Sequence, residues 1–129
     1  MAIQVRDTRQ KKAIRAAFSS AARPLSPEEA LQEAAAHVRG ISVATIYRNI
    51  HALIAESWLS PVEIPGEPAR YEVAGKGHHH HFQCERCDRI YDLPGCTLQP
   101  IPGLPGGFAL TGHELFLYGL CAACNQSPA

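Results

Sequence analysis

No apolar run in this chain of 129 residues approaches the length that a helix needs to span a bilayer. The chain also has no formal net charge at pH 7, because 12 Lys and Arg balance 12 Asp and Glu. The first residues, Met1 to Lys12, are polar and basic without an apolar core, so we expect no secretory signal. These absences argue against a membrane or exported protein. We expect a cytoplasmic globular protein of one ordinary domain or two very small ones.

Cysteine is the most informative residue type that is present. The count of five is odd, so the cysteines cannot all pair within the chain, and a reducing compartment keeps them as thiols. Four form two Cys-x-x-Cys pairs, Cys84 with Cys87 and Cys121 with Cys124. Together they complete a tetrahedral sulfur shell that suits Zn²⁺ and would join the first and last strands of a small domain. A redox motif or inert buried thiols are the alternatives, although no βαβ unit surrounds either pair. Cys96 stands apart, and we expect a small unliganded residue.

Four consecutive histidines precede the first cysteine pair. An expression-tag remnant or a solvated polar patch would explain them without a function. On a strand, however, alternate side chains point to opposite faces. His79 and His81 then share one face, and His78 and His80 share the other, so the run can serve two metal sites.

Each of these sites needs further ligands, and Glu72, Asp92 and His113 are the candidates. A shell of histidines and carboxylates suits Zn²⁺, Fe²⁺ or Mn²⁺ without choosing among them. An ion held by Glu72, His79 and His81 would bridge the two halves of the chain. Its binding would favour one arrangement of those halves, which is a physical basis for a switch.

The first sixty residues predict three helices, over about 8–19, 27–36 and 43–57. Thr8 and Ser42 are the expected N-caps of the first and third helices. For the second, Ser26 is the expected N-cap, Pro27 takes the first helical position and Glu29 closes a capping box.

A hairpin follows the helices, with strands at 59–64 and 69–73 around a turn at 65–68. Further strands are expected at 78–84, 89–93 and 113–120, whereas the Pro- and Gly-rich segment 94–107 should contain no helix. Three helices and a hairpin are the order of a winged helix-turn-helix. The predicted fold is therefore α+β, with a winged-helix DNA-binding domain (1–74), a hinge (75–77) and a small metal-binding domain (78–129).

The third helix and the basic first helix are the candidate DNA-binding surface. Residues 1–60 have eight Lys or Arg against five Asp or Glu, whereas residues 61–129 have four against seven. The N-terminal part of such a third helix can enter the major groove, and basic residues of the first helix can reach flanking phosphates. The candidate contacts are Arg9, Lys12, Ser42, Thr45, Tyr47 and Arg48, with Arg6, Lys11 and Arg15 nearby.

Several motifs together resemble the ferric uptake regulator family of bacterial metal-sensing repressors. They are Thr8-Arg9-Gln10, Ser42 to Arg48, Arg70-Tyr71-Glu72, the histidine run with the first cysteine pair, and His113 to Cys124. They occur in family order over nearly the whole chain.

The resemblance implies a homodimer that binds palindromic operators in double-stranded DNA when metallated and represses metal-uptake or stress genes. It implies no membrane partner and no small-molecule substrate. The family's structural zinc site falls on Cys84, Cys87, Cys121 and Cys124. Its regulatory site, for Zn²⁺, Fe²⁺ or Mn²⁺, falls on Glu72, His79, His81 and Asp92. A further site in the dimerisation domain falls on His78, His80 and His113.

The chain departs from the family pattern in three places. Arg23-Pro24-Leu25 stands where a regulatory histidine is common, and Glu72-Val73-Ala74 lacks the cysteine of many zinc sensors. Residues 98–107 replace the usual helix between the dimerisation strands.

The sensed metal and the class of function have alternatives. The terminal stretch from Gly119 to Cys124 looks more like zinc-uptake regulators, so zinc sensing is favoured over iron or manganese sensing. A peroxide sensor, in which iron-catalysed oxidation of a histidine ligand releases DNA, is a third possibility. Outside the family, a zinc-dependent hydrolase needs an open site with activated water, but no HExxH motif occurs. A metal-storage or chaperone module would not need the helical half.

Overall fold

The computed structural model describes residues 2–96 and 103–126, with side chains from Arg9 onward. It divides the chain into two compact units, residues 1–75 and residues 76–129. The first unit contains three helices and a two-stranded hairpin, and the second contains a three-stranded sheet and a short helix. This is the α+β composition that the sequence predicts.

Helix α1 runs over Ala2–Ala21, so the prediction of a start capped by Thr8 is wrong. Nothing ahead of Thr8 breaks a helix, because that segment contains neither proline nor glycine. The helix ends where Ala22 takes a φ of 53°, a left-handed conformation typical of helix termini. Ile14 and Phe18 are fully buried and anchor α1 to the core.

Helix α2 (Pro27–Ala35) begins as the sequence predicts. The Glu29 N–H donates to Ser26 Oγ at 3.1 Å, and the Ser26 N–H donates to Glu29 Oε1 at 2.9 Å. This reciprocal pair is the capping box, which satisfies two backbone donors that the first turn leaves without helical partners.

Helix α3 (Val43–Ala55) also has its predicted N-cap, since the Thr45 N–H donates to Ser42 Oγ at 3.1 Å. Its end at Ala55 precedes the predicted residue 57, because Ser57 adopts a φ of 61° and turns the chain. Ile46, Ile50 and Leu53, at spacings of three and four, are buried and form the face of α3 that packs in the core.

Strands β1 (Leu59–Ile64) and β2 (Glu67–Val73) pair antiparallel. The predicted turn over 65–68 is too long, because Pro65 and Gly66 alone make the reversal. Gly66 has a φ of 76°, which glycine adopts without steric cost, and Ile64 already pairs with Glu67.

The helices and hairpin share one core. Leu25 and Tyr71 exchange backbone hydrogen bonds of 2.8 and 2.9 Å, which tie the segment before α2 to β2. The buried cluster comprises Ala13, Ile14, Phe18, Leu25, Ala30, Ala34, Ile41, Ile46, Ile50, Leu53 and Leu59. The first unit therefore has the winged-helix order with a continuous apolar interior.

The second unit is a sheet of β3 (His79–Cys84), β4 (Ile90–Pro94) and β5 (Phe116–Gly119), in the order β4-β3-β5. Strand β3 pairs antiparallel with β4 and parallel with β5. The strand predicted over 113–120 is shorter than expected. Helix α4 (Ala122–Gln126) was not predicted, because five residues are too few for a periodic pattern.

The Pro- and Gly-rich segment follows β4. None of its described residues, 94–96 and 103–107, is helical. Residues 97–102 of that prediction lie outside the described part of the chain. Nor does any helix among the described residues have the length and apolarity to cross a membrane.

Candidate metal centres and nucleic-acid interface

The structure brings the two Cys-x-x-Cys pairs together as one group, the four-cysteine cluster (Cys84, Cys87, Cys121 and Cys124). Their sulfur atoms all lie within 4.8 Å of one another, and the Cys87 and Cys121 Sγ atoms are 3.9 Å apart. Tetrahedral zinc with Zn–S bonds of about 2.3 Å requires sulfur separations of about 3.8 Å. The cluster therefore has the donor set and approximate dimensions of a zinc–thiolate site.

Backbone pairing of β3 with β5 positions this cluster. Cys84 ends β3 and pairs with Gly119, the last residue of β5. The Glu85 N–H donates to the Gly119 carbonyl at 2.7 Å. A Cβ at Gly119 would approach the Phe82 ring to 3.0 Å, so glycine permits the close strand approach. After the first pair, Asp88 takes a φ of 66°, which folds the tight turn back on Cys84.

The thiols of the cluster differ in acidity. Hydrogen bonds from the backbone N–H groups of Cys87 and Cys121 lower the pKa of Cys84 to about 6. Hydrogen bonding to Cys121, together with burial, raises the pKa of Cys124 to about 12. All five cysteines are free of disulfides. Crowded sulfurs cannot all ionise without a cation, so this environment suits a metal rather than four bare thiolates.

A second group, the carboxylate–histidine cluster (His79, His81 and Asp92), lies on β3 and β4. Asp92 pairs with His81 across the strands, and its Oδ1 lies 3.3 Å from His81 Nε2 and 3.9 Å from His79 Nε2. Lys76 forms an ion pair with the other carboxylate oxygen. Asp92 Oδ1 is buried and has no hydrogen-bond partner among the described residues. A buried carboxylate oxygen facing two imidazole nitrogens is a donor arrangement suited to a metal ion.

The second ring nitrogen of His79 supports this assignment. His79 Nδ1 lies 2.7 Å from the Gly77 carbonyl oxygen. Because a carbonyl can only accept, Nδ1 carries a proton, and in the neutral ring Nε2 then has the lone pair that a metal requires. Glu72, the remaining predicted ligand, lies buried in β2 of the first unit. Its role as a ligand stays a prediction.

The third group, the histidine–cysteine cluster, contains His78, His80 and His113 as predicted. It also contains Cys96, which the sequence predicts to be a small unliganded residue. The His113 Nε2 lies 3.1 Å from His78 Nε2, 3.2 Å from His80 Nε2 and 3.1 Å from Cys96 Sγ. Burial, and then the nearby His78 and His113, lower the pKa of His80 and favour the neutral form that binds metals. The predicted alternation is confirmed, because the His79 and His81 rings lie together and the His78 and His80 rings lie together.

Four of the predicted DNA contacts lie on the face formed by the start of α3 and its N-cap: Ser42, Thr45, Tyr47 and Arg48, of which Thr45 is half-buried. Val43 is 55% exposed and Tyr47 41%, while Arg48 is also exposed. Arg48 Nη2 donates to Thr45 Oγ1 at 3.2 Å. Ser42 acts first as the N-cap, since its Oγ accepts the Thr45 N–H. This face therefore combines a positive helix N-terminus with polar, aromatic and basic side chains.

On α1, Arg9 and Lys12 are exposed as the DNA prediction requires. Two of their neighbours have other partners in the first unit. Lys11 forms an ion pair of 2.9 Å with Glu56, and the Arg15 guanidinium lies 4.8 Å from the Trp58 ring centroid. These contacts join α1 to the end of α3 and make Lys11 and Arg15 poorer candidates for phosphate binding. The side chain of Arg6 lies outside the described part.

Comparison with known proteins shows similarity to one family model and to several bacterial regulators. The model of the ferric uptake regulator family matches residues 2–118. The ferric uptake regulation protein of Campylobacter jejuni is 32% identical over 92 residues, which are 69% of this chain and 59% of that protein. The peroxide-responsive repressor PerR of Staphylococcus epidermidis is 29% identical over 126 residues, covering 95% of this chain and 83% of that protein.

Several solved structures share the fold over about 90% of the chain or more, and one of them illustrates the likeness. It is the Helicobacter pylori ferric uptake regulator Fur, reported to have three functional metal binding sites, with a TM-score of 0.66 and 23% identity. The match covers 93% of this chain and 82% of that one. The chain spans 57% to 61% of the length of the curated Campylobacter and Mycobacterium relatives that it matches. Since the family match extends over residues 2–118, the chain belongs to the ferric uptake regulator family.

Proposed function

We propose that this protein is a metal-responsive transcriptional repressor that acts in the cytoplasm as a homodimer on palindromic operator DNA. Residues 1–74 are the DNA-binding domain, residues 75–77 the hinge, and residues 78–129 the metal-binding and dimerisation domain. The observation that carries the proposal is the buried Asp92 Oδ1, which has no described hydrogen-bond partner and lies 3.3 Å from His81 Nε2. The curated relatives that carry regulator names support it.

In this proposal the three metal sites have different roles. The four-cysteine cluster holds a structural Zn²⁺. His79, His81 and Asp92 hold the regulatory ion, with Glu72 as a further ligand contributed by the DNA-binding domain. Only a few residues separate Glu72 from His79, so one ion held by both restrains the hinge. His78, His80 and His113 form the additional site.

DNA binding is assigned to α3 and α1. In this proposal the start of α3, with the exposed Tyr47 and Arg48 and the half-buried Thr45, enters the major groove, and Ser42 at the helix N-terminus approaches a phosphate. Arg9 and Lys12 contact the flanking backbone. The internal Arg48–Thr45 hydrogen bond holds the guanidinium near the start of the helix, where it would meet phosphate.

Dimerisation is assigned to the second unit because apolar side chains are exposed there. Leu104, Phe108, Leu110, Leu117, Tyr118 and Leu120 are each at least 40% exposed. Strand β5 is also an edge of its sheet. Exposed apolar groups beside a strand that is at the sheet edge among the described residues are typical of a surface that a second copy covers.

Zinc is proposed as the sensed metal, on the resemblance of Gly119 to Cys124 to zinc-uptake regulators. Histidine and carboxylate ligands also accept Fe²⁺ and Mn²⁺, so iron or manganese sensing and peroxide sensing remain the alternatives. A zinc hydrolase is disfavoured, because the family match covers residues 2–118 and the named relatives are regulators.

The test measures operator affinity against free metal. A palindromic duplex is selected from a random pool, and its binding is followed by fluorescence anisotropy with zinc retained in the four-cysteine cluster. The regulatory ion should tighten binding by about 5–150-fold, the usual range of coupling between sites. Titrations with Zn²⁺, anaerobic Fe²⁺ and Mn²⁺ identify the sensed ion.

Matched variants locate the response. His81→Ala and Asp92→Asn should abolish the metal response and keep the fold, whereas His37→Ala, in the exposed turn after α2, should keep both. If protein with zinc only in the four-cysteine cluster already binds the duplex as tightly as fully loaded protein, the proposed function is wrong. Turnover of a substrate without DNA affinity would favour a hydrolase.

A further inference from the structure

We propose that Cys96 is a metal ligand, and that the histidine–cysteine cluster is a four-coordinate site for a borderline-soft divalent ion such as Zn²⁺. Under the proposed function, His78, His80 and His113 hold a metal without any contribution from sulfur. The proposed function does not include a fourth ligand. The identity of that ligand decides which metals the site accepts.

The separations within the cluster are those of ligands around one ion. His113 Nε2 lies 3.1 to 3.2 Å from the two other imidazole nitrogens and from Cys96 Sγ. All four donor atoms lie within 4.8 Å of one another. A tetrahedral zinc with three nitrogens and one sulfur requires separations of about 3.3–3.6 Å between ligand atoms. Small side-chain movements are enough to admit the ion.

Hydrogen bonding does not account for this convergence. A ring nitrogen has either one hydrogen or one lone pair in the ring plane, so it makes one good hydrogen bond. His113 Nε2 nevertheless has three polar atoms within 3.2 Å. Protonated rings would point N–H groups at one another. If the three ring nitrogens direct their lone pairs, and Cys96 its thiolate, at one shared cation, every one of these four atoms has a partner.

Separate parts of the second unit supply the ligands. His80 lies on β3, and its ring is 4.6 Å by centroids from that of His78. Cys96 follows β4, whose last residue pairs with His79, so the strand pairing delivers the thiol to the same end of the sheet. Gly95 has a φ of 75°, a left-handed conformation that turns the chain after β4. The thiol position is thus set by strand register and by a glycine turn.

A thiolate changes which ions bind. Sulfur favours Zn²⁺ and Co²⁺ over Mn²⁺ and Mg²⁺, which prefer oxygen ligands. The proposal therefore predicts a site distinct in selectivity from the carboxylate–histidine cluster, where an oxygen ligand takes the place of the sulfur.

The experiment uses Co²⁺ as the probe. Full-length protein with zinc in the four-cysteine cluster is titrated anaerobically with Co²⁺ in the presence of a phosphine reductant, and retained zinc is measured in each sample. Thiolate–Co²⁺ coordination produces an ultraviolet charge-transfer band that imidazole and carboxylate ligands do not produce. Wild-type protein should gain one such band. Cys96→Ser should lose it and bind Zn²⁺ at this site at least about tenfold more weakly, since even outer-shell changes cost 10–100-fold.

Two further variants define the outcome. Asp92→Asn removes a ligand of the other cobalt site and should leave the band intact, whereas His113→Ala should remove both the band and one bound Co²⁺. A band that persists in Cys96→Ser, or wild-type protein that binds the additional Co²⁺ without a band, overturns the assignment of Cys96. Operator binding with and without metal is measured on the same samples and does not depend on whether Cys96 is a ligand. The assignment of Cys96 and the proposed repressor function can therefore fail independently.

Discussion

Replacement of Cys121 by serine should unfold the second unit and leave the first folded. Among the described residues of the second unit, the fully buried large side chains are only Ile90 and Cys84. Burying one isoleucine stabilises a fold by about 1.5–3 kcal/mol. A structural zinc site contributes about 10–16 kcal/mol in small zinc-dependent domains. A zinc ion held by the four-cysteine cluster would therefore be the dominant stabilising interaction of the β3–β5 sheet, and loss of one thiolate should remove most of that stabilisation.

The first unit should be insensitive to this change, because its own core stabilises it. That core includes Ile14, Phe18 and Leu53, all at most 1% exposed. The single tryptophan of the chain, Trp58, packs against the same core and provides a local optical probe. Its fluorescence should not change when the second unit unfolds.

Hydrogen exchange followed by mass spectrometry separates the two units. In Cys121→Ser, or in wild-type protein treated with a strong chelator, amides of residues 79–84, 90–94 and 116–119 should exchange rapidly. Amides of residues 43–55 should stay protected. Ala123→Ser is the matched control, because it places a serine at an exposed position between Cys121 and Cys124, removes no thiol and should retain protection in β3. Persistent protection of β3–β5 after verified zinc removal would refute the reasoning.

Three other substitutions test the first unit in the zinc-loaded protein. Phe18→Ala should lower the free energy of unfolding by about 3–5 kcal/mol, measured by urea titration of Trp58 fluorescence, because it leaves a cavity in the core; a loss under about 1 kcal/mol would contradict its fully buried position. Ser26→Ala should cost about 1 kcal/mol in the same titration through loss of the capping box, and an unchanged midpoint would mean that the cap contributes nothing. Arg48→Ala should reduce the slope of log affinity against log salt for operator DNA by about 1, and an unchanged slope would remove Arg48 from the phosphate contacts.

The local sequence was sufficient to predict the structure wherever a few neighbouring residues determine the geometry. The capping box of Ser26 and Glu29 satisfies backbone donors within one helical turn, so no distant residue is needed to recognise it. The alternation of the histidine run follows from the period of a strand. Local propensity failed at the start of α1, where the segment ahead of Thr8 is helical although a cap residue was available.

The sequence alone determined which residue types are available to bind metal and that they are divided among separate sites. Two Cys-x-x-Cys pairs and an alternating histidine run establish this, because spacing along a turn or strand sets the direction of neighbouring side chains. The sequence also predicted that the two cysteine pairs share one site, whereas only the tertiary structure showed that Cys96 joins the histidines. The parallel pairing of β3 with β5 brings Cys121 to Cys84, and the β3–β4 register with the turn at Gly95 brings Cys96 to His113. The contact between Cys96 and His113 depends on strand register and loop path, which arise from packing over the whole unit and leave no short pattern in the sequence.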